Sequence, residues 1–385
     1  MRFPEFSGVW KKCTINDLAT VVGGGTPDTT VKSYWGGDIQ WFTPSEIGKN
    51  KYVDFSKRTI TRDGLDNSSA KLLPLHTILL SSRATVGECS IASNECTTNQ
   101  GFQSLIAKQC NIDFLYYLIQ TKKKDLIRNA CGSTFLEISA NEIRKIKVAV
   151  PVQNEQEQIA KLLSLIDERI ATQNKIIEKL QSLIKVLVDE LMTVLLKVKL
   201  YPFSSFYIKA GEGGTPTTSV VEYYTEGTIP FIKIEDLSCK YLTNNKDFIT
   251  ELGMQKSSAW LIPSKSVIYS NGATIGAISI NEYPVCTKQG ILGIVPNTNI
   301  NVEYLYLLMS SSYFSKEISR IITEGTMKTA YLKDINHIKC PLPSMAQQKN
   351  ITNLTSSIEE KLSIEQELLR FLNLQKQYLL HMIFI

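Results

Sequence analysis

The side chains that most often carry out catalysis or hold metals are few in this sequence and poorly spaced for either task. There are three histidines, His76, His337 and His381, and eight cysteines, Cys13, Cys89, Cys96, Cys110, Cys131, Cys239, Cys286 and Cys340. No two cysteines form a C-x-x-C pair, so a zinc ion finds no spaced ligand set; free cysteine packs as a small hydrophobe, and these read mostly as core. A phosphate-cradling G-x-x-x-x-G-K-[ST], a dinucleotide G-x-G-x-x-G, a G-x-S-x-G elbow, an H-E-x-x-H helix and the N/D-P-P-Y of an amino-methyltransferase are all missing. The loop Gly23-Gly24-Gly25 lacks the Lys-Ser/Thr that would hold a nucleotide, so a tight turn or close backbone approach explains it better. Pro27-Asp28 has no Glu-x-Lys downstream to complete a nuclease site. The sequence therefore predicts a chain with no catalytic centre and no bound metal or cofactor of its own.

The elements explain what the chain offers instead. At 385 residues it exceeds what one core usually organises, which predicts two or three domains. Its greasiest stretch, Val186 to Leu200, is interrupted by Asp189, Glu190 and Lys197 and is not a membrane span. Met1 to Trp10 carries Pro4, Glu5 and Gly8 where an export signal needs an apolar run, so the expected compartment is the cytoplasm.

The chain also repeats itself. Gly24-Gly25-Thr26-Pro27 returns as Gly213-Gly214-Thr215-Pro216, and Ile60 to Gly101 aligns without a gap on Ile249 to Gly290 at the same offset of 189, with 17 identities in 42 positions. Each copy ends on a proline before a helical pattern, at Pro151 and Pro343. Short β-branched and aromatic runs, Ile39 to Thr43, His76 to Ser81, Ile229 to Ile234 and Ser266 to Ser270, read as strands. Helical spacing covers Ile112 to Asn129 and Val302 to Ile322. The predicted fold class is α+β, with a curled, largely antiparallel sheet in each globular unit.

A long helix follows each unit. In the first, Ile159, Leu163, Ile166, Ile170, Gln173, Ile177, Leu180, Ile184, Leu187, Leu191, Val194 and Val198 step by alternating four and three, a coiled-coil seam with one polar member. The second seam, Ile351, Thr355, Ile358, Leu362, Glu365, Leu369, Leu372, Lys376, Leu379 and Ile383, is weaker, with three polar interruptions. About 40 helical residues give a rod on the order of 60 Å. Since a globular unit separates the helices, they are expected to pair as an antiparallel coiled coil with approximate twofold symmetry.

Charge is distributed unevenly. Residues 1 to 152 hold 19 Lys+Arg against 14 Asp+Glu, and every other segment is balanced, so the net +5 belongs to the first unit. Phosphate contact is one use of such an excess, with Lys49, Lys51, Lys57, Arg58, Arg62 and Lys122-Lys123-Lys124 as candidates; a solvated face is the other.

Taken in order and doubled, the motifs resemble the specificity subunits of type I restriction-modification systems. They are Arg2-Phe3-Pro4-Glu5-Phe6 with Trp10, the two Gly-Gly-Thr-Pro loops, Tyr34-Trp35-x-Gly37-x-Ile39-x-Trp41, and Ser-x-x-Ala-Thr-Val/Ile-Gly ending at Gly87 and Gly276. Gln100-Gly101 and Gln289-Gly290, Gly132-Ser133-Thr134-Phe135 with its echo Gly325-Thr326, and Pro-x-x-x-Glu-Gln-x-x-Ile from Pro151 to Ile159 complete the set. The second copy departs at Gln347 for Glu155 and Tyr224 for Trp35. The resemblance implies two target recognition domains, residues 1–151 and 200–343, each reading one half of a gapped DNA site. Spacer helices at 152–199 and 344–385 would fix the gap. It also implies two modification (methyltransferase) subunits, which carry S-adenosylmethionine and methylate a flipped adenine, and ATP- and magnesium-dependent restriction subunits. Two rival readings stand beside it: the same architecture in a system with another cleavage partner, and a coiled-coil scaffold that binds no DNA.

The repeat then sorts the polar residues. Side chains shared by both copies cannot distinguish two half-sites, whereas aligned but different ones can. Base readout is expected from Thr43, Ser45, Arg83, Asn99, Lys233, Glu235, Asn271 and Lys288, whose chemistry suits base edges; surface drift between copies would leave the same pattern. Backbone contact is expected from Lys57, Arg58, Thr85, Lys122, Lys123, Lys124 and Thr274. Trp41 and Phe231 read as core.

Overall fold

The computed structural model describes residues 5–132, 136–197, 199–272, 274–322 and 328–384. The readings placed on Arg2 to Pro4, Ser133-Thr134-Phe135, Val198, Ala273 and Gly325-Thr326 lie outside these residues. The chain forms two units, Met1–Asn174 with Glu367–Ile385, and Lys175–Gln366.

In unit 1, five strands lie in the order Ala19–Gly23, Gln103–Ala107, Ile78–Leu80, Cys89–Ala92, Tyr52–Val53. Three more run Arg58–Ile60, Trp35–Phe42, Cys96–Thr98. The pairings are antiparallel except Tyr52–Val53 with Cys89–Ala92 and Trp35–Phe42 with Cys96–Thr98, which are parallel. Lys11–Thr14 pairs with Lys147–Val150 and closes the domain's two ends together. Ile78, Leu80, Ile91 and Leu105 bury one face of the larger sheet against Phe114, Leu115 and Leu118.

Unit 2 repeats this plan: Tyr207–Glu212, Ile291–Pro296, Val267–Ser270, Ile278–Asn281, Tyr241–Leu242 in one sheet, and Asp247–Ile249, Ile229–Ile232, Cys286–Thr287 in the other. Local detail repeats too. Thr61 and Thr250 each cap a five-residue helix, their hydroxyls accepting from the Gly64 and Gly253 amides at 3.1 Å. Each helical stretch expected after the sheet is two helices. The first breaks at Lys122, between Ile112–Thr121 and Lys123–Arg128. The second breaks at Ser311, whose hydroxyl caps Ser312–Ile321.

The long helices span Gln153–Leu195 and Met345–Ile383. Within unit 1, Ile159 and Leu163 at the start of the first share a core with Leu379 near the end of the second, and Lys376 Nζ lies 2.7 Å from Asp167 Oδ1. Within unit 2, Val188 and Met192 near the end of the first share a core with Ile351 near the start of the second. The pairing is therefore antiparallel. The second seam is buried or half-buried at all ten positions, and its polar members are accommodated: Lys376 meets Asp167, and Glu365 meets Lys361 at 2.5 Å. The first seam holds through Leu191 but not at Val194, which is 64% exposed; toward its end the most buried positions are Val188 and Met192. There the helix faces the unit 2 core as well as its partner, and Asp189 accepts from the Ser312 amide and hydroxyl at 2.8 and 2.6 Å.

Candidate nucleic-acid interface

In unit 1 four loops are tied into one cluster by backbone bonds. The Gly25 amide donates to Thr98 O (2.8 Å), the Asn99 amide to Phe42 O (3.1 Å) and the Ser82 amide to Gly101 O (2.8 Å). Thr26 donates to the Gln100 side chain at 2.5 Å. The Gly-Gly-Thr-Pro loop thus sits on the 98–101 turn, which also abuts the 43–46 turn and the 81–87 loop. A Cβ on Gly24 would lie 2.1 Å from Asn99 O, and one on Gly213 2.1 Å from Thr287 O, so this close approach requires glycine in both copies. Unit 2 joins the same loops through Gly213 N to Ile291 O, Lys288 N to Ile232 O and Asn271 N to Gly290 O.

This cluster gathers most of the residues expected to read bases. Thr43 caps its turn, its hydroxyl donating to Glu46 Oε2 at 2.6 Å, while Glu46 Oε1 accepts from the Lys57 amide at 2.6 Å. Ser45 is exposed beside it. Asn99 is half-buried and spends its Oδ1 on the Gly101 amide (2.9 Å), leaving its amide nitrogen as the group to offer. Arg83 is half-exposed, with Nε 3.8 Å from Glu137. In unit 2, Glu235 and Lys288 are exposed, and Lys233 Nζ pairs with Asp247 at 2.9 Å; that hydrogen bond raises the lysine above its ordinary pKa.

Asn271 corrects the expectation. It is 1% exposed and its Nδ2 donates to Ala330 O at 3.1 Å, so it braces the loop from inside and presents nothing to a groove. Among the backbone candidates, Lys57, Arg58, Lys124 and Thr274 are exposed and Lys122 is half-buried. Thr85 shares a hydrogen bond with Ser81 at 2.9 Å. Lys123 is ion-paired with Glu88, at the foot of the 81–87 loop. Arg62 pairs with Asp66 along its own helix. Bonds from the Thr30 side chain and amide hold the Asp28 carboxyl below the usual range and shape a turn. Among the described residues no acidic, histidine or cysteine group is arranged to hold a metal, and no helix is long and apolar enough to cross a membrane.

Lys51, one of the phosphate candidates, is instead a strut. It is 12% exposed and donates to Asp113 (2.7 Å), Ser164 of the long helix (2.6 Å) and Tyr117 (3.3 Å). Its repeat partner Lys240 meets Glu303 and Glu359 in the same way. The sequence reading missed this pair, and it missed Gln156 and Gln348. Gln156 Oε1 accepts from the Asn111 amide at 3.0 Å, and its Nε2 donates to Pro151 O at 3.0 Å. Gln348 accepts from the Asn301 amide at 2.7 Å and donates to Asn299 O and Pro343 O at 3.0 and 2.9 Å. Recurrence in both copies was the available signal. These residues join each recognition loop's domain to the root of its helix.

A family model described as the type I restriction modification DNA specificity domain matches residues 8–182 and again 206–373. The chain is 29% identical over 381 residues to the type I restriction enzyme MjaIX specificity subunit of Methanocaldococcus jannaschii, covering 92% of this chain and 87% of that one. It is 28% identical over 175 residues to the EcoR124I/EcoR124II specificity subunit of Escherichia coli, 43% of each chain. The fold is that of the S subunit from M. genitalium, with a TM-score of 0.56 at 19% identity over 100% of this chain and 99% of that one. A type I R-M chain solved in a study of complex assembly and conformational transition gives 0.59 at 15% identity over 98% of each.

Proposed function

From the premise that this chain belongs to the type I restriction-modification DNA specificity family, with two copies of its domain, we propose that each unit reads one half of a two-part DNA site through its own loop cluster. The DNA specificity role itself follows from family membership. The observation that carries the division of labour is the doubled loop cluster: one fixed frame, with Thr43, Ser45, Arg83 and Asn99 on one copy and Glu235 and Lys288 on the other.

Methyl transfer and cleavage belong, in this reading, to partners: two modification subunits holding S-adenosylmethionine, and restriction subunits using ATP and magnesium. Support comes from the relatives, which are named as specificity subunits of restriction enzymes. The excess positive charge of the first domain gives it the larger share of phosphate attraction. Methylome sequencing of cells expressing the chain with its modification subunits tests the proposal. A two-part methylated motif with a fixed gap is the expected result; a continuous motif, or none, refutes it.

A further inference from the structure

Arg58 is held flat without being engaged. Its guanidinium carbon lies 3.6 Å from the centroid of Trp35 and 5.5 Å from that of Trp41, and the two indoles meet edge to face at 5.0 Å. Each indole is fixed by its own N–H, Trp35 donating to Asp28 O at 3.1 Å and Trp41 to Gly25 O at 2.9 Å. The platform is therefore part of the Gly-Gly-Thr-Pro loop, and hence of the recognition cluster. The Arg58 side chain is exposed, and its donors have no hydrogen-bond or ion-pair partner among the described residues. A guanidinium 3.6 Å above an indole face is restricted in plane, and because the side chain is exposed its fork of N–H groups stays accessible to a pair of acceptors.

The repeat favours base edges over phosphates as the acceptors. At the shared offset Arg58 corresponds to Asp247, each paired across the sheet with Trp41 or its counterpart Phe231; Lys233 opens the turn that Thr43 opens in unit 1, one residue beyond that offset. In unit 2 Lys233 and Asp247 satisfy each other at 2.9 Å. The aromatic platform is altered as well: Tyr224 replaces Trp35 and donates its hydroxyl to Pro216 O at 2.6 Å. A phosphate anchor serves both half-sites alike, because every half-site has phosphates; a position whose charge inverts between copies does not behave as one. Resting on the reading above, we propose that Arg58 is a specificity-determining residue that donates two N–H groups to O6 and N7 of a guanine in the half-site read by unit 1. The Lys233–Asp247 pair closes the corresponding position in unit 2. This moves Arg58 out of the phosphate-contact set in which sequence alone placed it.

The test uses the full chain co-expressed with its modification subunits. The wild-type methylome defines the motif, and binding is then measured on duplexes substituted one base pair at a time, at several salt concentrations. Arg58→Lys keeps the charge and the stacking stem but loses the fork. It is expected to lose ten- to a hundredfold discrimination at one G·C pair of one half-site, with the other half-site and the salt slope unchanged. Arg58→Ala is expected to relax the same position. An equal loss on all sequences with a shallower salt slope makes Arg58 a phosphate contact and overturns the proposal. Unchanged specificity in Arg58→Lys, with unit 1 folded by hydrogen exchange, overturns it as well. Absence of any two-part motif in the wild type overturns the parent reading together with this one, so the two failures are distinguishable.

Discussion

Replacing the buried glutamine at each helix root with leucine should destabilise the two units unequally. Gln156→Leu keeps roughly the same volume but strands two backbone groups, the Asn111 amide and the Pro151 carbonyl, and removes the acceptor of the weakly donating Cys110 thiol (3.3 Å), at a site where the side chain is 4% exposed. A buried polar group left unpaired costs about 1 to 3 kcal/mol, and the added apolar burial of leucine returns part of that, so a net loss of about 2 to 4 kcal/mol is expected. Gln348→Leu strands three groups, Asn301 N, Asn299 O and Pro343 O, around a side chain that is 0% exposed, and should cost about 3 to 6 kcal/mol. Against a typical stability of 5 to 15 kcal/mol either loss is large. Urea denaturation of the full chain, with hydrogen exchange mass spectrometry to assign the loss, measures both. Trp10, Trp35 and Trp41 report on unit 1 by fluorescence and Trp260 on unit 2. A cost below about 0.5 kcal/mol for either substitution, or an equal cost for Gln156→Leu and Gln348→Leu, refutes a stabilising role for these bonds.

Lys51→Met should lower unit 1 stability by about 2 kcal/mol, below the figure for a fully buried pair because Asp113 is 28% exposed, and adding Asp113→Asn should restore part of it; thermal denaturation of single and double variants decides. Arg83→Ala should relax one half-site by roughly 1 to 3 kcal/mol, whereas Lys123→Ala should weaken every duplex alike and reduce the salt slope; binding titrations at several salt concentrations separate the two. Asn271→Ala should leave the methylated motif intact while lowering unit 2 stability by about 1 to 2 kcal/mol, read from methylome and melting curves. Burial pushes the thiols of Cys89, Cys96 and Cys110 up to about 12, so they stay protonated through pH 8; maleimide should label exposed Cys131 and Cys239 quickly at that pH and reach the buried three only on unfolding.

The repeat made the domain plan legible, because two copies of a motif order cannot arise from composition. The heptad steps located both long helices to within a few residues. Their one misreading, at Val194, has a physical reason: a 3.5-residue seam assumes a single partner, and the end of that helix has two. The strand segments were readable from β-branched runs, but the parallel pairings were not, since pairing direction depends on crossovers that leave no local pattern. Residue type alone could not separate Lys51 from Lys57, or Asn271 from Asn99. In each pair the same side chain stands in a similar loop, and only the direction it points decides whether it braces the fold or meets a ligand. Arg58 shows the converse: it read as one more surface cation until the two tryptophans beneath it were seen.

Unit 1 is built from two segments far apart in the sequence. Leu379 completes its core, and Phe384 lies against Trp10 and Phe114, with ring centroids 6.1 and 5.3 Å apart. During synthesis, residues 1–174 leave the ribosome nearly 200 residues before the segment from Glu367 that covers them. The first domain must therefore wait with an apolar patch uncovered while the entire second unit is made, which leaves it open to chaperones and proteases in the interval. A chain broken off before Glu367 never closes that patch. The fold thereby couples the closing of the core of its first domain to a helix made nearly 200 residues later.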